Sequence, residues 1–178
     1  MNRYFHTMAN YNHEANNAMF SIIEGLPEET RKRNVRSYYH SIDGIINHIY
    51  NSDLLWLVRI KARFPHFASL DASVLDKTPE NLHASLFPDF GALRSGRTVL
   101  DGIFIQLSAE VDEGVLQKVL DYHNTRGEAK RYILWETMIH IFNHQTHHRG
   151  QIAEILDELG TTNDYSNVIS YLSEPSRG

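Results

Sequence analysis

Residues 133–159 read ILWETMIHIFNHQTHHRGQIAEILDEL, and this stretch decides the fold. Apolar side chains recur at three- and four-residue spacing over its whole length, from Leu134 through Met138, Ile141 and Ile152 to Leu156 and Leu159. That is the signature of an amphipathic α-helix with one buried face. The spacing predicts a helix from about Ile133 to Leu159, with Gly160 as its C-terminal stop. The same stretch carries four of the chain's 11 histidines, His140, His144, His147 and His148. Taking about 100° per residue and Leu134 as the centre of the buried stripe, His148 lies about 40° away and His144 about 80° away. His140 and His147 lie about 120° and 140° away, towards solvent. The histidines that can point inward together are therefore His144 and His148. Residues four apart are neighbours on a helix surface, and two histidines so placed can grip one metal ion.

Working outward, three further long helices are expected. The first covers Tyr4 to Ile23, with a stripe of Tyr4, Met8, Tyr11, Ala15, Met19 and Ile22, and is ended by Gly25 and Pro27. The second runs from the N-cap residue Ser41 to about Ala62, with Ile42, Ile45, Ile46, Ile49, Trp56 and Ile60 inward. The third follows Asp89, from Phe90 to about Val111. Between the second and third lies a connection of about 25 residues carrying Pro65, Pro79 and Pro88. Thr78-Pro79-Glu80 suggests a short helix at 79–86 inside it. Residues 116–132, with the turn Asn124-Thr125-Arg126-Gly127, fit a small hairpin or an irregular loop. The expected fold is all-α: a four-helix bundle with a long connection between the second and third helices, in a single domain over residues 1–178.

A site in such a bundle is built from facing helices, so the third metal ligand is sought on the second helix. His48 is the histidine inside that helix, and it flanks the apolar stripe as His144 flanks its own. Asp53 falls within the apolar stripe, where it either orients a ligand histidine or makes a structural hydrogen bond. Arg97 and Asp101, four apart on the inner side of the third helix, read as an ion pair, with binding of an anionic substrate as the sharper alternative. Gly150 inside a helix costs about 1 kcal/mol against alanine, which the close approach of another backbone would explain. Tyrosines and tryptophans at helical spacing are read as core.

Composition narrows the function classes. Hydrophobic residues make up 42% of the 178 and charged residues 22%, as in an ordinary globular protein. The net charge of −5 and the lack of a basic stripe argue against a nucleic-acid partner, and Arg31-Lys32-Arg33 behind Glu28 and Glu29 reads as a solvated turn. No apolar run reaches the ~20 residues of a membrane span, and the N-terminus lacks a signal-peptide core, so no membrane partner and a cytoplasmic location are expected. With no cysteine, any thiol chemistry must use a thiol from outside the chain.

Asn143-His144-Gln145-Thr146-His147-His148-Arg149-Gly150-Gln151 resembles the signature of the DinB (damage-inducible) family, within the DinB/YfiT-like metalloenzyme superfamily. The segment from Ser41 through His48 to Asp53 and Trp56 resembles that family's second-helix motif. The resemblance covers nearly the whole chain. It implies a four-helix bundle, a divalent metal, nickel or zinc, on the triad His48, His144 and His148, and a homodimer. It further implies a small-molecule substrate, since members of the superfamily transfer thiols such as bacillithiol or mycothiol. Three neutral imidazoles leave open positions on a metal, the pattern of a catalytic rather than a structural site. Thiol transfer is the favoured reaction; hydrolysis, or a non-enzymatic metal-binding role in stress, is the alternative. The residues identify no catalytic group beyond the triad.

Overall fold

The computed structural model describes residues 1–79 and 81–172. The protein is mostly helical with one two-stranded sheet. Six α-helices are present among the described residues: α1 (Asn2–Glu24), α2 (Glu28–Lys32), α3 (Ile42–Arg63), α4 (Phe90–Glu110), α5 (Glu113–Leu116) and α6 (Leu134–Glu158). The strands are β1 (Val119–His123) and β2 (Ala129–Ile133). The four long helices are α1, α3, α4 and α6. α1 packs against α4 and α6, and α3 packs against the same two, so the four close around one core.

Local chemistry sets the helix ends. The Ser41 hydroxyl accepts from the Gly44 amide at 3.1 Å, and the Asp89 carboxylate accepts from the Ala92 amide at 2.8 Å. Each satisfies an amide that the first turn leaves without a partner. Gly160 ends α6 in the left-handed region, at φ +68, and the Thr161 amide reaches back to the Leu156 carbonyl at 2.9 Å. Both are features of a glycine-closed helix end.

The core is formed by the apolar faces of these helices, with Ile42, Ile45, Ile46, Ile49 and Ile60 of α3 and Leu134, Met138, Ile141, Ile152 and Leu156 of α6 all buried. Of the expected stripes Tyr4 lies outside the core, and Met8, Ile22, Trp56 and Leu159 pack at its edge, partly buried. Tyr4 is 51% exposed, and Trp56 is half-buried in a cavity wall. No helix among the described residues is long and apolar enough to cross a membrane.

The connections depart from expectation in two places, while the hairpin, one of the two forms expected for residues 116–132, is present. Arg31 does not simply face water: α2 forms there, and Arg31 pairs with Asp43 of α3 at 3.3 Å and lies over the Phe90 ring at 4.5 Å. The short helix expected at 79–86 is absent from residues 81–86, and Glu80 lies outside the described residues. There the Asn81 side chain accepts from the His83 amide at 2.8 Å, and the Ala84 carbonyl accepts from Asn51 of α3 at 2.7 Å. Side chains thus hold backbone groups that a helix would need. Residues 116–132 resolve into α5's end and an antiparallel hairpin, Val119 opposite Ile133 through His123 opposite Ala129, turning at Gly127 with φ +78. Within α6, no neighbouring backbone explains Gly150, since a Cβ there would meet nothing within 4 Å.

Gly44 is the opposite case. A Cβ on it would lie 2.0 Å from the Tyr39 carbonyl oxygen, so the chain before α3 can press onto the first turn of the helix only where there is no side chain. Gly150→Ala should raise stability by about 0.5–1 kcal/mol, the usual helical gain, whereas Gly44→Ala should lower it. Urea denaturation of the two variants beside the parent checks both signs.

Candidate metal centre

His48 projects from α3, and His144 and His148 from successive turns of α6, the two helices packing side by side. The Nε2 atoms of His48 and of His148 each lie 3.0 Å from that of His144. One ligand atom from each of the three lies within 4.8 Å of the others. The neighbouring histidines stay outside: His140 and His147 are exposed.

The electrostatics keep the triad neutral. Burial, and next the facing His148 and His48, push His144 down to about 3. Burial, and next His148, push His48 down to about 4. Burial also lowers His148, against a hydrogen bond that raises it. That hydrogen bond fixes the tautomer. His148 Nδ1 lies 2.7 Å from Gln151 Oε1, an atom that can only accept, so the proton sits on Nδ1 and the Nε2 lone pair faces the other rings. Lone pairs converging at this distance repel unless a proton or a cation lies between them. Metal–nitrogen bonds of about 2.0–2.1 Å place ligand nitrogens about 3–3.4 Å apart, so the observed spacing suits a cation. The three neutral imidazoles could together hold a divalent metal ion.

The model of the DinB family matches residues 1–176. The chain belongs to the DinB family. It is also 28% identical over 150 residues to Protein DinB of Bacillus subtilis (strain 168), covering 84% of this chain and 83% of that protein. No solved structure matches it significantly.

Within this DinB-family framework, the other candidate residues form a separate buried network. Arg97 Nη1 donates to Asp53 Oδ2 at 2.6 Å, and Arg97 Nη2 lies 2.9 Å from Asp101 Oδ1. Asn16 of α1 donates to both oxygens of Asp101, at 3.0 and 3.2 Å, and lies 3.3 Å from Gln145 Oε1. Arg149 Nη1 donates to Asn16 Oδ1 at 3.3 Å. Asp53, Arg97, Asp101, Gln145 and Arg149 are all at most 2% exposed. The pair at Arg97 and Asp101 is therefore real, but closed to any substrate. Asp53 bonds to Arg97 and to none of the three histidines. Burial pushes its carboxyl up to about 7, against the pull of Arg97.

Two site residues escaped the sequence reading. Gln151 stands inside the recognised motif, three residues after His148, a spacing that could have marked it as the ring's orienter. Tyr39 carried no such signal, because it lies outside any helix. Its ring stacks on His48 at 3.9 Å between centroids and its hydroxyl is 2.9 Å from His48 Nε2. Burial raises the Tyr39 hydroxyl above its ordinary range, so it is protonated at neutral pH.

Gln151→Leu should weaken metal binding about 10–100-fold, the usual effect of losing such an orienting group, as read by competition against a chelator. Arg97→Met leaves two carboxylates buried without their cation and should destabilise the fold by about 3–5 kcal/mol in urea denaturation.

Proposed function

We propose that this DinB-family protein is a metal-dependent enzyme acting on a small molecule, with nickel or zinc on His48, His144 and His148 and the four long helices serving as a four-helix bundle scaffold. The observation that carries this reading is a cavity of about 320 Å³ lined by His48, His144, Tyr39, Trp56 and Tyr122. It brings open space to two of the three imidazoles, as a site with a free coordination position requires and a closed structural site does not. The volume is at the lower end of the range for small-molecule sites.

Within this reading the favoured reaction is transfer of an exogenous low-molecular-weight thiol to an electrophile. The new bond joins sulfur to the electrophilic carbon, the leaving group departs with its electron pair, and the thiol proton is released. A bound divalent cation supplies Lewis acidity, which favours the ionised thiol. The chain contributes the rest. Gln151 holds the His148 ring in the tautomer that presents Nε2. Tyr39, protonated and beside His48, is placed to donate a hydrogen bond to an anion held at the triad. Trp56 and Tyr122 wall one side from water. The absence of cysteine leaves no internal thiolate to compete.

The test is a panel of low-molecular-weight thiols, bacillithiol among them, assayed with a chromogenic electrophile. Metal-loaded protein should accelerate conjugation of at least one thiol, and the metal-free and His148→Ala proteins should not. Equal rates with and without metal across the panel would remove thiol transfer.

A further inference from the structure

One wall of the cavity is a single stripe of α3. His48, Ser52, Trp56 and Arg59 line it, each three or four residues from the last. At about 100° per residue, His48 and Arg59 lie only about 20° apart around the helix. At about 1.5 Å per residue they are about 16 Å apart along the axis. Helical side chains lean towards the N-terminus, so the arginine reaches back towards the triad. The same lean puts its guanidinium carbon 4.7 Å from the Trp56 ring centroid; from the hairpin side, the Tyr122 ring lies 4.3 Å away.

Arg59 thus lies against two aromatic rings that are themselves edge to face, 5.1 Å apart, and its N–H groups are little used. It makes one hydrogen bond, from Nη2 to the His123 carbonyl at 3.2 Å, and among the described residues no carboxylate lies within ion-pairing distance. Other arginines near the core differ: Arg31, Arg94 and Arg97 each face a carboxylate, and the buried Arg149 is instead hydrogen-bonded to Asn16, Gln145 and Thr146. A half-buried cation without a counter-ion, packed against two rings, is a prepared site for an oxyanion.

We propose that Arg59 anchors the substrate: the molecule taken into this cavity carries a carboxylate or phosphate at the end remote from the triad. This rests on the reading of the triad as the reactive end. Contact with both rings restricts where the guanidinium can sit, so the anion meets a cation already placed, and Trp56 and Tyr122 cover the linking part of the ligand. The substrate is then two-headed, with a metal-seeking group at one end and an oxyanion at the other.

Three probes of one length test this on full-length protein loaded with cobalt: 6-mercaptohexanoic acid, 6-mercaptohexyl phosphate and the neutral 6-mercaptohexanol. Titration calorimetry gives each Kd, and the thiolate-to-cobalt absorption band reports contact with the metal. At least one of the two acids should bind about tenfold or more tightly than the alcohol. Arg59→Gln should erase that preference while leaving the band, and Arg59→Lys should keep part of it. If Arg59 merely ties the hairpin to α3, its loss would weaken all three probes alike and the preference would survive; that outcome overturns the proposal. A band with equal affinities in the parent protein also overturns it and leaves the metal reading standing. Acid preference without a band overturns the metal reading and leaves the anchor. Binding of none of the probes overturns both.

Discussion

Two arginines and two aspartates lie in the interior of this protein, where isolated ions are costly. Arg97 stands between Asp53 and Asp101, and Asn16 relays Asp101 to Arg149 and Gln145. Two guanidiniums face two carboxyls, and the hydrogen-bonded chain takes in α3, α4, α1 and α6 in turn. Replacing a buried ion pair by apolar side chains is often neutral or stabilising, so the network is poorly explained as a source of stability. What it supplies is register. An apolar stripe tolerates a sliding helix; a carboxylate bonded to a guanidinium at 2.6 Å does not.

That register is what the histidine triad requires. His48 lies five residues before Asp53 on α3, and His148 is the residue next to Arg149 on α6. Fixing Asp53 and Arg149 therefore fixes the axial level of both helices within about a turn of the ligands. Convergence of three imidazole nitrogens at 3.0 Å needs positioning finer than hydrophobic packing alone provides. The last adjustment is local: Gln151 sets one ring, and Tyr39 stacks on another because Gly44 lets the preceding chain sit against α3.

The long elements were legible because their physics is periodic. Apolar spacing placed α1, α3, α4 and α6 to within one or two residues, and Ser41 and Asp89 marked their starts by capping chemistry that acts locally. The inward phase of His144 and His148 was equally readable, since phase is a property of one helix. What escaped depends on contacts between distant segments. The loop at 81–86 fails to become helix because Asn51 captures the Ala84 carbonyl. Asp53 turns to Arg97 rather than to a histidine, because α4 delivers a cation there. Tyr39 enters the site from a segment in which Arg36 and His40 both adopt positive φ, a conformation that no side-chain pattern announces.

Trp56 shows why a single apolar stripe was too simple a description of α3. With Ile42 as reference, Trp56 falls about 40° to one side, close enough to count as core on periodicity alone. Yet α3 serves two environments. Asp53, about 60° from Trp56, faces the buried ions, while His48, Ser52, Trp56 and Arg59 follow one another down the cavity wall. A helix that must face both a charged core and an open cavity cannot be apolar along one clean face and polar along the other. Its buried residues include Asn51, Ser52, Asp53 and His48 among the isoleucines. Buried polar groups are tolerated only where each finds a partner. Asn51 finds a loop carbonyl, Asp53 an arginine and His48 the Tyr39 hydroxyl. The mixed polarity of α3 is thus the trace, within one helix, of a site and its support built side by side.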